Sequence, residues 1–188
     1  MRELKPILID KYILAALQED MTSGDITTDA ILKDERAEVN LRAKDKGILA
    51  GLDVFKRVFE ILDEDVSFEF YFSDGDEVNN KDLIGKISGR AKAILEGERT
   101  ALNFLQRMSG IATYTKKMVD ALDSDHVKIL DTRKTTPNMR IFEKYAVTLG
   151  GAYNHRYNLS DGIMLKDNHI DAAGGIREAV EKARRLNP

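Results

Sequence analysis

The sequence predicts an α/β chain in two regions: an α+β part to about residue 100, then the start of a parallel α/β part. Two observations carry this. Before residue 100, short segments of period-two hydrophobicity are separated by turn residues and joined to helix-patterned segments. After residue 123, strand-like and helix-like segments alternate, the signature of βα units and a parallel sheet. The composition, 43% hydrophobic and 32% charged over 188 residues, suits a globular protein with room for one domain or two small ones.

The first element is a helix from about Pro6 to Glu19. Ile9, Ile13 and Leu17 share a face, with Leu14 beside them, and Pro6 suits the first turn. Glu19 to Thr28 is polar and reads as a turn region. Val39, Leu41 and Ala43 alternate with Asn40, Arg42 and Lys44, which predicts a strand. A turn follows at Asp45-Lys46-Gly47, then a short apolar piece, Ile48 to Gly51. Val54, Val58, Phe59 and Leu62 predict a helix; Phe68, Phe70 and Phe72 predict a half-buried strand ended by the turn Asp74-Gly75-Asp76. Leu83 to Gly89 and Ala91 to Leu95 read as further short strands. Glu98 to Leu122 is helical, with a break expected at Ser109-Gly110. The order is then strand (Val127 to Asp131), helix (Met139 to Leu149, with Asn138 as N-cap and Gly150-Gly151 as stop), strand (Gly162 to Lys166) and helix (Ile176 to Leu186).

Charge and residue usage narrow the function. A formal net charge of −3 gives no basic field for nucleic acid. The absence of cysteine removes disulfides, thiolate metal sites and a cysteine nucleophile, and fits a reducing compartment. The N-terminus shows neither signal-peptide nor transmembrane patterning, so a cytoplasmic protein with no membrane partner is expected.

In βα proteins ligands sit at the carboxyl ends of strands. Here both predicted strands end in charge, at Asp131-Thr132-Arg133-Lys134 and at Lys166-Asp167-Asn168-His169, and Tyr153-Asn154-His155-Arg156 lies between them. A solvated capping turn would account for one such loop. Three cationic loops, two at equivalent strand ends, point to a ligand carrying several negative charges, because clustered cations repel unless an anion fills them.

The ordered series Glu98-Arg99-Thr100-Ala101-Leu102-Asn103, Ser109 to Thr113, Asp131 to Pro137, Glu143 to Val147, Gly150-Gly151 with Asn154-His155-Arg156, and Lys166 to Ile170 resembles the quinolinate phosphoribosyltransferase family. Glu19-Asp20 with Gly24 to Thr28 extends the match over nearly the whole chain. Asn138 departs from it, where the family usually has glycine. The resemblance implies an N-terminal α/β sandwich domain (1–103) followed by the first part of an open α/β barrel (104–188), and a homodimer or higher homo-oligomer. It implies transfer from phosphoribosyl pyrophosphate to quinolinate with Mg²⁺ and decarboxylation, giving nicotinate mononucleotide, pyrophosphate and CO₂ in NAD biosynthesis.

By the same resemblance, Arg133, His155 and Arg156 face the quinolinate carboxylates with Thr132 close by. Lys134 and Lys166 face the phosphoribosyl donor and are the catalytic candidates. Arg99 is expected to be supplied across the subunit interface. Asn168 and His169 are weaker candidates that shape their loop, and Glu19-Asp20 and Asp25 to Thr28 are expected to be structural. The family's Mg²⁺ carboxylates and its glycine-rich phosphate loop would lie downstream of residue 188, so a fragment inactive by itself is expected. Two alternatives share features with this reading. One is a paralogue of the same fold serving molybdenum transport. The other is a carrier-like binding module, suggested by Asp74 to Gly89 with Lys81 in a turn.

Overall fold

A computed structural model describes residues 4–124 and 126–186. They fall into two compact units, Met1–Asn154 and His155–Pro188. Among the described residues no helix is long and apolar enough to cross a membrane.

The first unit opens with α1 (Pro6–Asp20), whose buried residues Ile9, Ile13 and Leu17 recur every fourth position and so form one stripe. Leu14 lies off that stripe and is exposed. The polar stretch that read as a turn contains a short helix, α2 (Ile26–Ile31), because the Asp25 carboxylate caps it by accepting the Thr27 and Thr28 N–H groups at 3.0 and 3.1 Å. Then come β1 (Arg36–Arg42), β2 (Gly47–Ile48), α3 (Leu52–Leu62), β3 (Ser67–Phe70), β4 (Glu77–Val78) and β5 (Leu83–Arg90).

The sheet is antiparallel in the order β1-β5-β3, with Ile87 opposite both Val39 and Phe68. A second, two-stranded ladder pairs β2 with β4. Phe55 and Phe59 of α3 meet Phe70 and Phe68 of β3 at ring-centroid distances of 6.5 and 6.0 Å, which fixes the helix on the sheet. Arg57 of α3 grips Asp10 of α1 through two hydrogen bonds of 2.9 and 2.8 Å.

One helix, α4 (Ala91–Leu122), spans 32 residues and corrects two expectations. Ala91 to Leu95 is its first turn rather than a strand: Ala93 and Ile94 face inward, while Leu95 is exposed and so breaks the period-two reading. There is no break at Ser109-Gly110. The Ser109 hydroxyl bonds to the backbone of Ala50, and Gly110 has open space beside it, so nothing forces the helix apart.

Beyond α4 the segment Val127 to Asp131 forms no extended strand. A single parallel bridge joins Leu130 to Tyr153. The strand pattern was an apolar run, and a ladder also needs partner backbone, which is supplied here at one point. Helix α5 (Arg140–Leu149) starts later than predicted, with Met139 rather than Asn138 as N-cap. Asn138 takes φ 64°, the left-handed conformation that Asn accepts more readily than most non-glycine residues. Gly150 ends α5 and Gly151 turns the chain at φ 89°.

In the second unit, residues 162–166, predicted as a strand, join no ladder among the described residues. The polar run after Lys166 is helix α6 (Asp167–Ala173), not a loop, and α7 (Ile176–Leu186) follows as predicted.

Candidate active site

The predicted acid–cation loop is clamped along one face of α5. Arg140, Glu143 and Lys144 sit three and four residues apart, so their side chains share that face. Lys144 pairs with Asp131, and both side chains are buried, at 4% and 8% exposure. Arg140 donates from Nε to Thr135 Oγ1 at 3.1 Å and from its terminal guanidinium nitrogen to the Arg133 carbonyl at 3.4 Å. Glu143 accepts the Thr136 N–H at 3.2 Å and an Arg107 guanidinium N–H at 2.8 Å; Arg107 also donates to Thr136 Oγ1 at 3.2 Å. These donors hold the Glu143 carboxyl below its ordinary range, against burial, which pushes it up. Thr132 Oγ1 accepts the Lys134 N–H at 3.0 Å and tightens the turn.

Asp131 is therefore committed to Lys144, and the cations that follow it differ in environment. Lys134 is exposed. Arg133 is half-buried, and its Nε–H is enclosed without a hydrogen-bond partner. A buried guanidinium donor left unmatched is costly unless a ligand accepts from it. A cavity of about 190 Å³ beside the loop is lined by Arg107, Asp131, Thr132, Lys134 and Lys144, among others.

Across the bridge, Asp131 N–H donates to the Tyr153 carbonyl at 3.0 Å, and Tyr153 N–H to the Ile129 carbonyl at 2.9 Å. The Asn154 side chain is satisfied when its amide nitrogen donates to Asp131 Oδ2 and, at 3.0 Å, to the Lys144 carbonyl. Arg99 lies exposed on α4. The α4 residues that line the loop cavity are Arg107 and Ile111.

In the second unit, His155 Nδ1 accepts the Arg156 N–H at 2.7 Å. A neutral His155 therefore carries its proton on Nε2, which becomes a donor. Arg156 donates to the Gly162 carbonyl at 2.8 Å, and the Tyr157 N–H is accepted by Asp161 at 2.7 Å. Lys166 is exposed at the N-cap of α6, and His169 Nδ1 accepts its N–H at 3.0 Å. This bond closes the capping box at the start of α6.

The sequence pattern missed Arg107, Arg140, Glu143 and Lys144 as parts of this site. Glu143-Lys144 stood inside a recognised motif without a role. The available signal was the spacing Arg140/Lys144, a cationic pair four apart on a helix whose remaining face is apolar.

Residues 25–109 match the family described as quinolinate phosphoribosyl transferase, N-terminal domain, and residues 111–188 match its C-terminal domain. A Bacillus subtilis protein named as a probable nicotinate-nucleotide pyrophosphorylase (carboxylating) is 49% identical over 166 residues, covering 88% of this chain and 57% of its own length. A Synechocystis protein of the same name is 41% identical over 182 residues, covering 97% and 62%. The crystal structure of NadC from Streptococcus pyogenes superimposes with a TM-score of 0.93 at 52% identity, covering 98% of this chain and 67% of that one. The chain thus spans less than two thirds of these two relatives' lengths. Both family segments, in order and over most of the sequence, establish that the chain belongs to the quinolinate phosphoribosyltransferase family, with its α/β sandwich and the first part of its open α/β barrel.

Proposed function

We propose that this protein transfers the phosphoribosyl group of phosphoribosyl pyrophosphate to quinolinate, with decarboxylation to nicotinate mononucleotide on the route to NAD. The relatives' names support the reaction class. The observation that carries it to this chain is the enclosed Arg133 Nε–H without a partner, in a loop whose backbone is bonded to Arg140 and Thr132 and which adds Lys134 beside it.

Quinolinate is a pyridine with two adjacent carboxylates. Its ring nitrogen forms a bond to C1′ of the ribose as the C1′–O bond to pyrophosphate breaks, and pyrophosphate leaves with that electron pair. The ring nitrogen is now cationic. The bond to the neighbouring carboxylate then breaks, CO₂ departs, the pair stays on the ring carbon beside the positive nitrogen, and that carbon takes up a proton. The protein mainly positions anions and stabilises charge. Arg133, His155 and Arg156 take the quinolinate carboxylates, with Thr132 holding the turn; Lys134 and Lys166 take the phosphoribosyl donor. Arg99 serves the site of a second subunit in a homodimer or larger oligomer, in the cytoplasm. Mg²⁺ is the expected cofactor. Among the described residues no group of three His, Cys, Asp or Glu could hold a metal ion, so no residue here is assigned to it.

The test is calorimetric titration with quinolinate and with nicotinate. Each charge-assisted hydrogen bond contributes roughly 1.5–3 kcal/mol, so losing one carboxylate weakens binding about tenfold or more. Equal affinity for the two acids would sink the reading.

A further inference from the structure

We infer that Lys144 is a positioning residue: by pairing with Asp131 in the interior it sets the loop that carries Arg133 and Lys134. The inference rests on the proposed quinolinate site. Lys144 lies on α5, thirteen residues along the chain from Asp131. Its ammonium lies in the interior rather than in solvent, which a lysine accepts only when paired. Asp131 is the first residue of the loop and the last to share the bridge with Tyr153, whose carbonyl accepts its N–H at 3.0 Å. Its second carboxylate oxygen accepts from Asn154, which also donates to the Lys144 carbonyl. One carboxylate therefore joins three pieces of chain: the segment entering the loop, α5, and the segment ending at Asn154.

Geometry separates positioning from mere stability. The rest of the loop is held by Arg140 and Glu143, which bond to residues 133, 135 and 136. Lys144 reaches the side chain at the loop's entry. One turn of the loop backbone lies at that entry, Lys134 N–H on Thr132 Oγ1, whereas the Thr136 N–H is held by Glu143 of α5. Release of the entry frees the direction in which the chain enters the loop while leaving the loop's far end on α5.

Lys144→Met alone would strand a buried carboxylate and endanger folding. The informative variant is Asp131→Asn with Lys144→Met, which removes both charges and keeps an acceptor for Asn154. The measurements are thermal melting, amide hydrogen exchange over residues 131–136 without ligand, and calorimetric quinolinate affinity. The expected result is a cooperative melt, exchange at Lys134 faster by about tenfold or more while Thr136 keeps its protection, and quinolinate binding weaker by about tenfold or more. Unchanged exchange at Lys134 overturns the inference. So does faster exchange with wild-type affinity. Loss of cooperative melting also overturns it, because the pair would then be a folding determinant. A wild-type protein that fails to bind quinolinate refutes the proposed function, and the exchange data then decide the loop's dependence on Lys144 separately.

Discussion

Tyr145 of α5 donates its hydroxyl to Asp74 Oδ2 at 2.8 Å, across 71 residues of chain. The same carboxylate accepts the Gly51 and Leu52 N–H groups at 2.9 Å, at the N-terminus of α3. One aspartate in a turn thus caps a helix of the sandwich and anchors the helix that clamps the candidate loop. Burial, and then the Asp74 charge, raise the Tyr145 phenol above its ordinary range, so it remains a donor through alkaline pH.

Tyr145→Phe removes the donor and leaves Asp74 with its two backbone partners. The expected cost is about 1–2 kcal/mol, the low end for a hydrogen bond to a charged group. Asp74→Ala should cost more, because it also uncaps α3. Urea denaturation of the two variants checks the order.

Asp63 gives a pH dependence with a defined sign. Its carboxyl is buried and accepts two Arg90 hydrogen bonds of 2.8 Å and the Asp65 N–H at 3.1 Å. Chiefly through Arg90, its pKa falls from 3.8 to about 2. A depressed folded-state value means the stabilisation is present above pH 3.8 and is lost as pH falls toward 2. Arg90 is half exposed, so solvent screening keeps the effect small. Melting temperatures of wild type and Asp63→Asn should converge between pH 4 and pH 2, in the span of about two units that these values define.

Two glycines should respond oppositely to alanine. A Cβ at Gly150 would meet the Ala112 carbonyl and Thr115 Cβ at 2.5 Å, so Gly150→Ala should destabilise by about 1–3 kcal/mol through forced separation of α4 and α5. A Cβ at Gly110 meets nothing within 4 Å, and the position is helical. Gly110→Ala should therefore stabilise by about 0.5–1 kcal/mol. Paired denaturation curves decide both.

In the full-length enzyme, Arg133 and Lys134 should fail differently. Arg133→Ala should raise the Michaelis constant for quinolinate, and Lys134→Ala that for the phosphoribosyl donor. Arg133→Lys should not rescue, because a point charge does not replace a planar fork. Steady-state kinetics with each substrate varied would show the division, and a rise in the same constant for both would refute it.

Arg99 should act in trans. Mixing inactive Arg99→Ala with inactive Lys134→Ala protein should restore part of the activity through hybrid oligomers. With subunit exchange confirmed, failure to complement would place Arg99 in its own subunit's site.

Elements whose burial follows a local period were legible in the sequence. The stripe Ile9-Ile13-Leu17, the alternation in β1 and the Phe68-Phe70 pair all appear where the pattern placed them. Segments whose state depends on distant partners were not. Ala91 to Leu95 fits either period over so few residues, and packing against α3 decides for helix: Gly97 approaches so closely that a Cβ there would lie 2.8 Å from the Phe59 ring. The cations of the site were visible as charge next to apolar runs. Lys144 was not, because a lysine inside a helix normally faces solvent and only its pairing with Asp131 shows otherwise.

The unbroken α4 separates two kinds of boundary. The two family segments meet between residues 109 and 111, inside this helix. Phe104, Leu105 and Met108 before the junction pack into the same core as Ala112 after it. A chimaera spliced at that point with a distant relative would join two half-helices grown for different cores. The piece after the junction is near the length, about 12–15 residues, below which an isolated helix is marginal in water. Exchange of the two halves between relatives should succeed only where the crossover moves off the helix, so the boundary between the two matched segments is not a boundary of folding.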